Sequence, residues 1–268
     1  MDATRSFAAR LRWWRERRGL SQLALANLAE VSQRHLSFLE VGRTAPSREM
    51  VLRLAAALDV PLRQQNALLL AAGFAPVWRE SALAAPELAV VERALSFMLD
   101  QQEPYPGYVV DRRWNLLRAN RAGERLVAFL TDAPPAPVDP ARPVNLADAL
   151  MAPDALRPLI ANWREVALYF LRGVQADALA DGSAETAALL ARLRAYPGVP
   201  RLAEAPAVED VQGPVLAIHF VKGAVSLRLF TTLATLGTPQ DVTTQEIRME
   251  CFFPADEATA QILRQWAA

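Results

Sequence analysis

The sequence predicts a two-domain protein in which five short helices precede an α+β domain with five strands. Residues 4–72 repeat apolar positions at helical spacing, whereas strand-like runs begin near residue 105. Charge divides in a similar way, because residues 1–80 hold 12 arginines against 7 acidic residues and the remaining chain holds 17 basic and 22 acidic residues. A basic first domain indicates a polyanionic partner for that domain.

Composition and length limit the class of protein. The chain has 268 residues, of which 52% are hydrophobic, so it can bury a core in each of two domains. The single cysteine, Cys251, excludes an intramolecular disulfide. Arginines at positions 5, 10 and 12 interrupt any apolar leader, and the apolar stretch at 67–77 is too short to span a bilayer. We therefore expect a cytoplasmic protein without a membrane partner.

The helices of the first domain are separated by residues that end or begin helices. We place this domain at residues 1–75. Serine is expected to cap the second, third and fourth helices, and proline to open the fifth. The residues concerned are Gly19, Ser21, Ser32, Gly42, Ser47, Pro61 and Gly73.

A connector at residues 76–104, with one helix at about 87–101, leads to the second domain at residues 105–268. The second domain begins with a predicted hairpin, because apolar runs flank the polar turn 111–113. A short helix, a proline-rich loop and a helical segment broken at 181–183 come next, and three strand-like runs follow. The ranges are 108–110, 114–117, 122–129, 133–143, 154–195, 215–221, 225–233 and 247–253.

Between Gly19 and Val60 many residues match a known motif at fixed offsets. They are Gly19-Leu20-Ser21-Gln22, Leu25-Ala26, Val31-Ser32, Leu36, Leu39-Glu40, Gly42-Arg43 and Pro46-Ser47. Because it has these residues at these spacings, the segment resembles the Xre/Cro-type helix-turn-helix domain. The resemblance implies sequence-specific binding of double-stranded DNA, with the third helix in the major groove. A five-helix protein-binding module is the alternative for this segment.

The resemblance also implies which side chains contact DNA. Gln22 is expected to hold a phosphate, and Ser32 to cap the recognition helix. The groove-facing residues would be Gln33, Arg34, Ser37 and Phe38, since glutamine suits adenine and arginine suits guanine. Arg43 and the arginines of the first helix (Arg12, Arg15, Arg18) are candidate phosphate contacts.

Two other residues of the third helix have alternative interpretations. Glu40 is expected to order the end of the recognition helix, because a carboxylate near phosphates is repelled. His35 is expected to be a surface or packing residue, although its pKa range permits a switch.

From about Ser47 onward, the chain matches a more particular set of motifs. They include Arg43 to Pro76, Glu103-Pro104-Tyr105-Pro106, Trp114-Asn115-Leu116, Asn162-Trp163-Arg164, Tyr196-Pro197, Gly237-Thr238-Pro239 and Phe252-Phe253-Pro254. With them the chain resembles the regulators that have an MmyB-like ligand-binding domain. The resemblance implies a PAS-like fold, with a five-stranded antiparallel sheet and helices over one face. It also implies that the second domain senses a small molecule, such as a fatty-acid-like ligand.

The residues themselves leave the ligand open. Apolar positions at 159, 163, 166, 170 and 174 form either a plain core or the wall of an apolar slot. Arg164 either pairs with a carboxylate head group or bridges to an acid within the domain. Trp114, Asn120 and His219 also fit structural roles as a core anchor, a turn residue and a strand residue. The candidate ligand-binding residues are Trp114, Asn120, Trp163, Arg164, Phe170, His219 and Phe230.

No motif indicates an enzyme. Two histidines and one cysteine do not make an ordinary zinc site, and no nucleophile elbow or phosphate-binding loop is present in the sequence. We expect no metal and no cofactor other than a bound fatty acid or similar molecule. The predicted function is a ligand-responsive transcription regulator that binds its operator as a homodimer. The alternative is a DNA-binding regulator whose second domain mediates dimerisation or protein interaction without a ligand.

Overall fold

This computed structural model describes residues 6–139, 142–199, 201 and 214–268. The chain divides into two compact units. The helical unit comprises Met1–Ser81 with two later segments, Asp181–Ala184 and Pro239–Gln245. The sheet unit comprises the rest of the described residues. No helix in the described part of the chain combines the length and apolarity needed to cross a membrane.

Five helices form the helical unit, as predicted. Serine side chains at positions 6, 21, 32 and 47 accept a hydrogen bond from a backbone N–H three residues later, so each caps a helix. The predicted serine caps of α2, α3 and α4 are therefore confirmed. The helices are α1 (Phe7–Arg17), α2 (Gln22–Leu28), α3 (Gln33–Glu40), α4 (Arg48–Ala57) and α5 (Leu62–Ala71).

The apolar face of each helix meets the others in one core. Leu11 and Trp14 of α1 pack with Leu25 of α2, Leu36 of α3 and Leu54 of α4, and each of these side chains is buried. Because apolar residues recur at helical spacing, every helix presents one face to this core and the opposite face to solvent.

The helical unit continues past α5 because Asn66 binds the chain that follows. Its Oδ1 accepts hydrogen bonds from the backbone N–H groups of Val77 and Trp78, both at 3.1 Å. Its Nδ2 donates a hydrogen bond to the Trp78 carbonyl at 2.7 Å. The compact unit thus extends to Ser81, beyond the predicted boundary at residue 75.

Two segments from later in the chain complete the helical unit. Gly182 lies against α1 so closely that a Cβ there would be 2.6 Å from the Trp13 ring. Asp241 accepts hydrogen bonds from the backbone N–H and hydroxyl of Ser81, at 3.1 and 2.8 Å. Gln245 accepts one from the backbone N–H of Leu62 at 2.7 Å, at the start of α5.

Five antiparallel strands form the sheet of the second unit, in the order β2-β1-β5-β4-β3. This confirms the predicted α+β domain with a five-stranded antiparallel sheet. The strands are β1 (Gly107–Val110), β2 (Leu116–Ala119), β3 (Ile218–Lys222), β4 (Val225–Thr235) and β5 (Arg248–Pro254). The helices that follow α5 along the chain are α6 (Ala89–Gln102), α7 (Arg121–Thr131), α8 (Leu146–Met151), α9 (Trp163–Asp181), α10 (Ala184–Arg194), α11 (Val242–Glu246) and α12 (Glu257–Ala267).

Side chains alternate between the two faces of this sheet. Val109 and Met249 face α6, where they pack with Leu95 and Leu99. Tyr108 and Phe252 belong instead to the larger core on the other face, formed with α7, α8, α9, α10 and α12. The sheet therefore has helices on both faces, and the larger core contains the cavity described below.

Three parts of the predicted second domain are wrong. The sheet has helices on both faces, whereas the family resemblance implies helices over one face. The segment 154–162 is not α-helical, because Pro158 lies in a single 3-10 turn at Arg157–Leu159 and α9 begins only at Trp163. The chain also ends in a helix, α12, whereas the sequence analysis ends the domain with strands. Asp256 caps α12 by accepting a hydrogen bond from the Thr259 backbone N–H at 2.8 Å.

Candidate DNA-binding face and ligand cavity

The third helix exposes its N-terminal end. Ser32 accepts a hydrogen bond from the His35 backbone N–H at 3.1 Å, which fixes the first turn. The side chains of Gln33 and Arg34 in that turn are exposed, and Ser37 one turn later is half-buried. This turn can therefore present polar side chains to a major groove.

Two arginines surround the aromatic ring of Phe38. The guanidinium carbon of Arg34 lies 5.4 Å from the ring centroid, and that of Arg43 lies 5.8 Å from it. Such cation–π contacts restrict a long side chain without neutralising its charge. Arg34 on α3 and Arg43 just after it thus hold two positive groups near a half-buried aromatic ring, an arrangement suited to phosphate and guanine acceptors.

A buried ion pair fixes the other end of α3. Arg15 donates two hydrogen bonds to the Glu40 carboxylate, at 2.5 and 2.9 Å, and hydrogen bonding to Glu40 raises the pKa of the guanidinium. The Glu40 side chain is 2% exposed. Gln22 of α2 also donates to Glu40 at 2.8 Å. Glu40 therefore joins α1, α2 and α3, as expected of a residue that orders the end of the helix.

This network changes the role of several predicted phosphate contacts. Arg15 is buried in the ion pair, and Arg18 donates to the carbonyls of Leu58 and Asp59 at 2.7 and 2.5 Å. Both arginines therefore act within the helical unit. The amide of Gln22 has two N–H groups, so one can bind Glu40 while the other faces a phosphate.

The sheet unit contains an apolar cavity of about 320 Å³. The volume lies at the lower end of the range for small-molecule sites. The walls come from the sheet and from α7, α8 and α9. The lining residues are Tyr108, Trp114, Leu126, Val127, Leu130, Leu146, Leu150, Leu156, Val166, Tyr169, Phe170, Gly173, Leu216, Ile218, Phe220, Thr231, Leu233, Glu250 and Phe252.

Trp114 enters the cavity wall from a strained turn. Its backbone has a positive φ of 66°, which is costly for a bulky residue. Asp111 stabilises the turn by accepting hydrogen bonds from the backbone N–H groups of Arg113 and Asn115, at 2.8 and 2.9 Å. The indole packs against Phe170 with ring centroids 4.6 Å apart. Among the described residues, Trp114 Nε1 is the one buried side-chain nitrogen or oxygen without a hydrogen-bond partner.

Glu250 is an acidic side chain in this otherwise mainly apolar lining. On β5 it pairs with Tyr108 of β1 and with Leu233 of β4, so these three residues form one row across the sheet. Burial raises the pKa of Glu250 to about 7, and a hydrogen bond from Thr231 opposes that rise. The carboxyl group is therefore close to half-protonated near neutral pH.

Family models match both parts of the chain. A family model described as the MmyB-like transcription regulator ligand binding domain matches residues 91–265, which is more than half of the chain. The chain belongs to the MmyB-like transcription regulators. A second family model, a helix-turn-helix, matches residues 11–65. This MmyB-like regulator thus combines a DNA-binding domain with a ligand-binding domain, and neither family is enzymatic.

Similarity of the chain to individual proteins is limited. No curated protein matches the MmyB-like regulator at a significant level. One similar solved structure is titled "Structure of an RNA-binding Light-Oxygen-Voltage Receptor", with 14% identity and a TM-score of 0.28. The alignment covers 99% of this chain and 65% of that chain. A TM-score this low does not establish a common fold.

The structure brings two of the seven candidate ligand residues of the MmyB-like regulator to the cavity. Trp114 and Phe170 line it, and both belong to its aromatic wall. Arg164 is exposed and is not part of the lining. An acidic ligand inside the cavity would therefore have to be recognised by other groups.

The other four candidates make structural contacts outside the lining. Asn120 caps α7 and accepts hydrogen bonds from the Gly107 and Gly123 backbone N–H groups. Trp163 Nε1 donates a hydrogen bond to the Leu150 carbonyl at 2.8 Å, and His219 Nε2 is hydrogen-bonded to Ser226 Oγ at 2.8 Å. The Phe230 ring stacks on the Phe253 ring, with centroids 5.6 Å apart.

Sequence reasoning missed the polar residues of the cavity. Glu250 lies in the run Arg248–Pro254, whose alternation predicts a strand but not what covers each face. The one available signal was an acid between Met249 and Cys251 in an apolar strand. Thr231 belongs to the pair Thr231-Thr232, which matches the same family, but threonine is common in strands and the match does not place it in a cavity.

Proposed function

We propose that this MmyB-like regulator is a cytoplasmic, dimeric repressor or activator that binds a specific operator and changes its affinity when a small apolar molecule enters the cavity. The observation that supports the proposal most directly is the cavity itself. It is large enough for a small ligand and lies within the domain that the family defines as ligand-binding.

Chain connectivity supplies a route from the cavity to the DNA-binding unit. The cavity residues Phe170 and Gly173 lie on α9, and α9 runs into the segment Asp181–Ala184 of the helical unit. Cavity residues on β4 and β5 flank the second segment, Pro239–Gln245. A ligand that shifts α9 or these strands would thereby act on contacts made to α1 and α5. The ligand has this effect only if it binds the two states with different affinities.

The proposed dimer uses the exposed face of α6. Val90, Ala94 and Phe97 recur at helical spacing and are exposed, with Val90 at 69% and Phe97 at 62%. An apolar stripe of this kind favours contact with a second copy of the chain. The same stripe supports a second candidate function, in which the sheet unit only dimerises the regulator or binds a partner protein.

Operator selection and binding measurements test the DNA-binding part of the proposal. Full-length protein would select duplexes from a random pool, and fluorescence anisotropy would measure its affinity for the selected and scrambled sequences at about 150 mM salt. We expect a preference of at least about a thousandfold for the selected sequence. Equal affinity for both sequences would contradict the proposal.

A matched pair of variants at Gly173 tests the ligand-binding part. A Cβ at this position would have no atom within 4 Å, so alanine fits and tryptophan extends into open space at the cavity. We expect G173W to prevent a ligand-dependent change in operator affinity while G173A retains it. Unliganded operator binding should be the same in both. A response that survives in G173W would favour the second candidate function.

A further inference from the structure

The lining of the cavity combines aromatic rings with an acid. Six of its residues are aromatic: Tyr108, Trp114, Tyr169, Phe170, Phe220 and Phe252. Glu250 lies in the same lining, and it is 9% exposed. In the part of the chain that the structure describes, no arginine, lysine or histidine lines the cavity. Ring faces and a carboxylate both attract positive charge.

We propose that the cavity selects a lipophilic cation, an apolar molecule with an amine or quaternary ammonium head, which Glu250 and the aromatic rings bind. This inference rests on the proposed ligand-sensing function and names the ligand class. The charged head would face the Glu250 carboxylate, and the apolar part would lie among the leucines contributed by α7 and α8.

An anionic ligand fits the cavity less well. A carboxylate head inside it would lose its water and face Glu250 without a cationic partner from the lining. Arg172 lies beside one lining residue, with its guanidinium carbon 5.5 Å from the Tyr169 ring centroid. Arg172 is exposed and is not part of the lining, so an anionic head would have to remain at the surface.

Near physiological pH, the protonation equilibrium of Glu250 favours binding of a cation over a neutral ligand. Because the pKa of Glu250 is about 7, loss of its proton to solvent costs little there. The ammonium head then pairs with the carboxylate, and the displaced proton is taken up by buffer. A neutral ligand leaves Glu250 as it was and displaces no proton. The other titratable groups beside Glu250, Tyr108 and Cys251, have pKa values raised by burial and stay neutral.

Isothermal titration calorimetry of the full-length protein tests the proposal. The probes are octyltrimethylammonium, octanol and octanoate, which share one alkyl chain and differ in the charge of the head. Titrations at about pH 6, in two buffers of different ionisation enthalpy, also report proton release. We expect octyltrimethylammonium to bind about tenfold more tightly than either other probe and to release close to one proton.

The variant E250Q keeps the shape of the side chain and removes its charge. We expect it to bind octyltrimethylammonium about tenfold more weakly, to release no proton and to bind octanol as before. T231V is a second variant that keeps the acid but removes its hydrogen-bond donor. Since that bond lowers the pKa of Glu250, T231V should shift the rise in cation affinity to higher pH.

The outcomes separate this inference from the proposed function. Tighter binding of octanol or octanoate, or a cation affinity that E250Q leaves unchanged, would overturn the selection of cations and leave ligand sensing intact. If none of the three probes bound to the wild type, the cavity would not be a site for such ligands, and both the inference and the ligand-binding part of the proposed function would be contradicted.

Discussion

Replacing Glu250 with glutamine should change how the stability of the protein depends on pH. The carboxyl group is buried on β5, and burial raises its pKa to about 7 from an ordinary value of 4.5. The folded state therefore keeps a proton that the unfolded state has already released between these two pH values. Glutamine occupies the same position without titrating, so E250Q removes this difference.

The sign and size follow from proton linkage. The pKa of this acid is higher in the folded state, so the free energy of unfolding falls as pH rises between about 4.5 and about 7. The contribution of Glu250 is complete below that window and lost above it. At about 1.4 kcal/mol for each pKa unit, the wild type should lose on the order of 3 kcal/mol relative to E250Q.

Urea denaturation followed by far-UV circular dichroism would measure the effect for both proteins from about pH 4.5 to about pH 7.5. The difference between the two curves isolates Glu250, because other groups titrate alike in both. T231V is a second test, since loss of its hydrogen bond should raise the pKa of Glu250 in the folded state further and so extend the fall in stability to higher pH. Parallel curves for wild type and E250Q across this window would refute the assignment of a raised pKa to Glu250.

Three further variants test the DNA-binding unit and the dimer. E40Q leaves the buried Arg15 guanidinium without its charged partner and should destabilise the protein by about 3 kcal/mol in urea denaturation. Replacing both Arg15 and Glu40 with leucine should recover much of that lost stability. R34A should weaken operator binding by about 1–3 kcal/mol in anisotropy measurements and relax the preference at one base position. The control R53A, on α4, should leave operator affinity unchanged. An equal loss of affinity for all DNA sequences would make Arg34 a phosphate contact. F97E should convert a dimer to a monomer in light scattering, and an unchanged mass would show that α6 is not the interface.

Local signals in the sequence determined much of the fold. The serines at 21, 32 and 47 cap helices because a side-chain oxygen next to the first turn satisfies a backbone N–H whatever the rest of the chain does. The strands followed from apolar alternation and from turn residues such as Gly223, which has a positive φ of 58°. Fixed motif offsets gave the two families, and both are confirmed.

The candidate sites required the tertiary structure, because their residues come from distant parts of the chain. Arg15 looked like a phosphate contact on a basic helix, and only packing against Glu40, 25 positions later, made it a buried ion-pair partner. Arg164 looked suited to an acidic ligand, but its place on α9 is exposed and outside the cavity lining. Periodicity shows which residues share a face of a helix, but not which face borders a cavity.

The sequence by itself therefore determined the two families, the serine caps of α2, α3 and α4, and the five strands, since each depends on residues close together or at fixed spacing. The tertiary structure decided which side chains meet. Glu250 became a buried acid in an aromatic cavity because β5 lies between β1 and β4 and the helices cover that face. Its environment is a property of the assembled sheet, so neither its raised pKa nor the charge preference proposed for the ligand could be predicted from neighbouring residues.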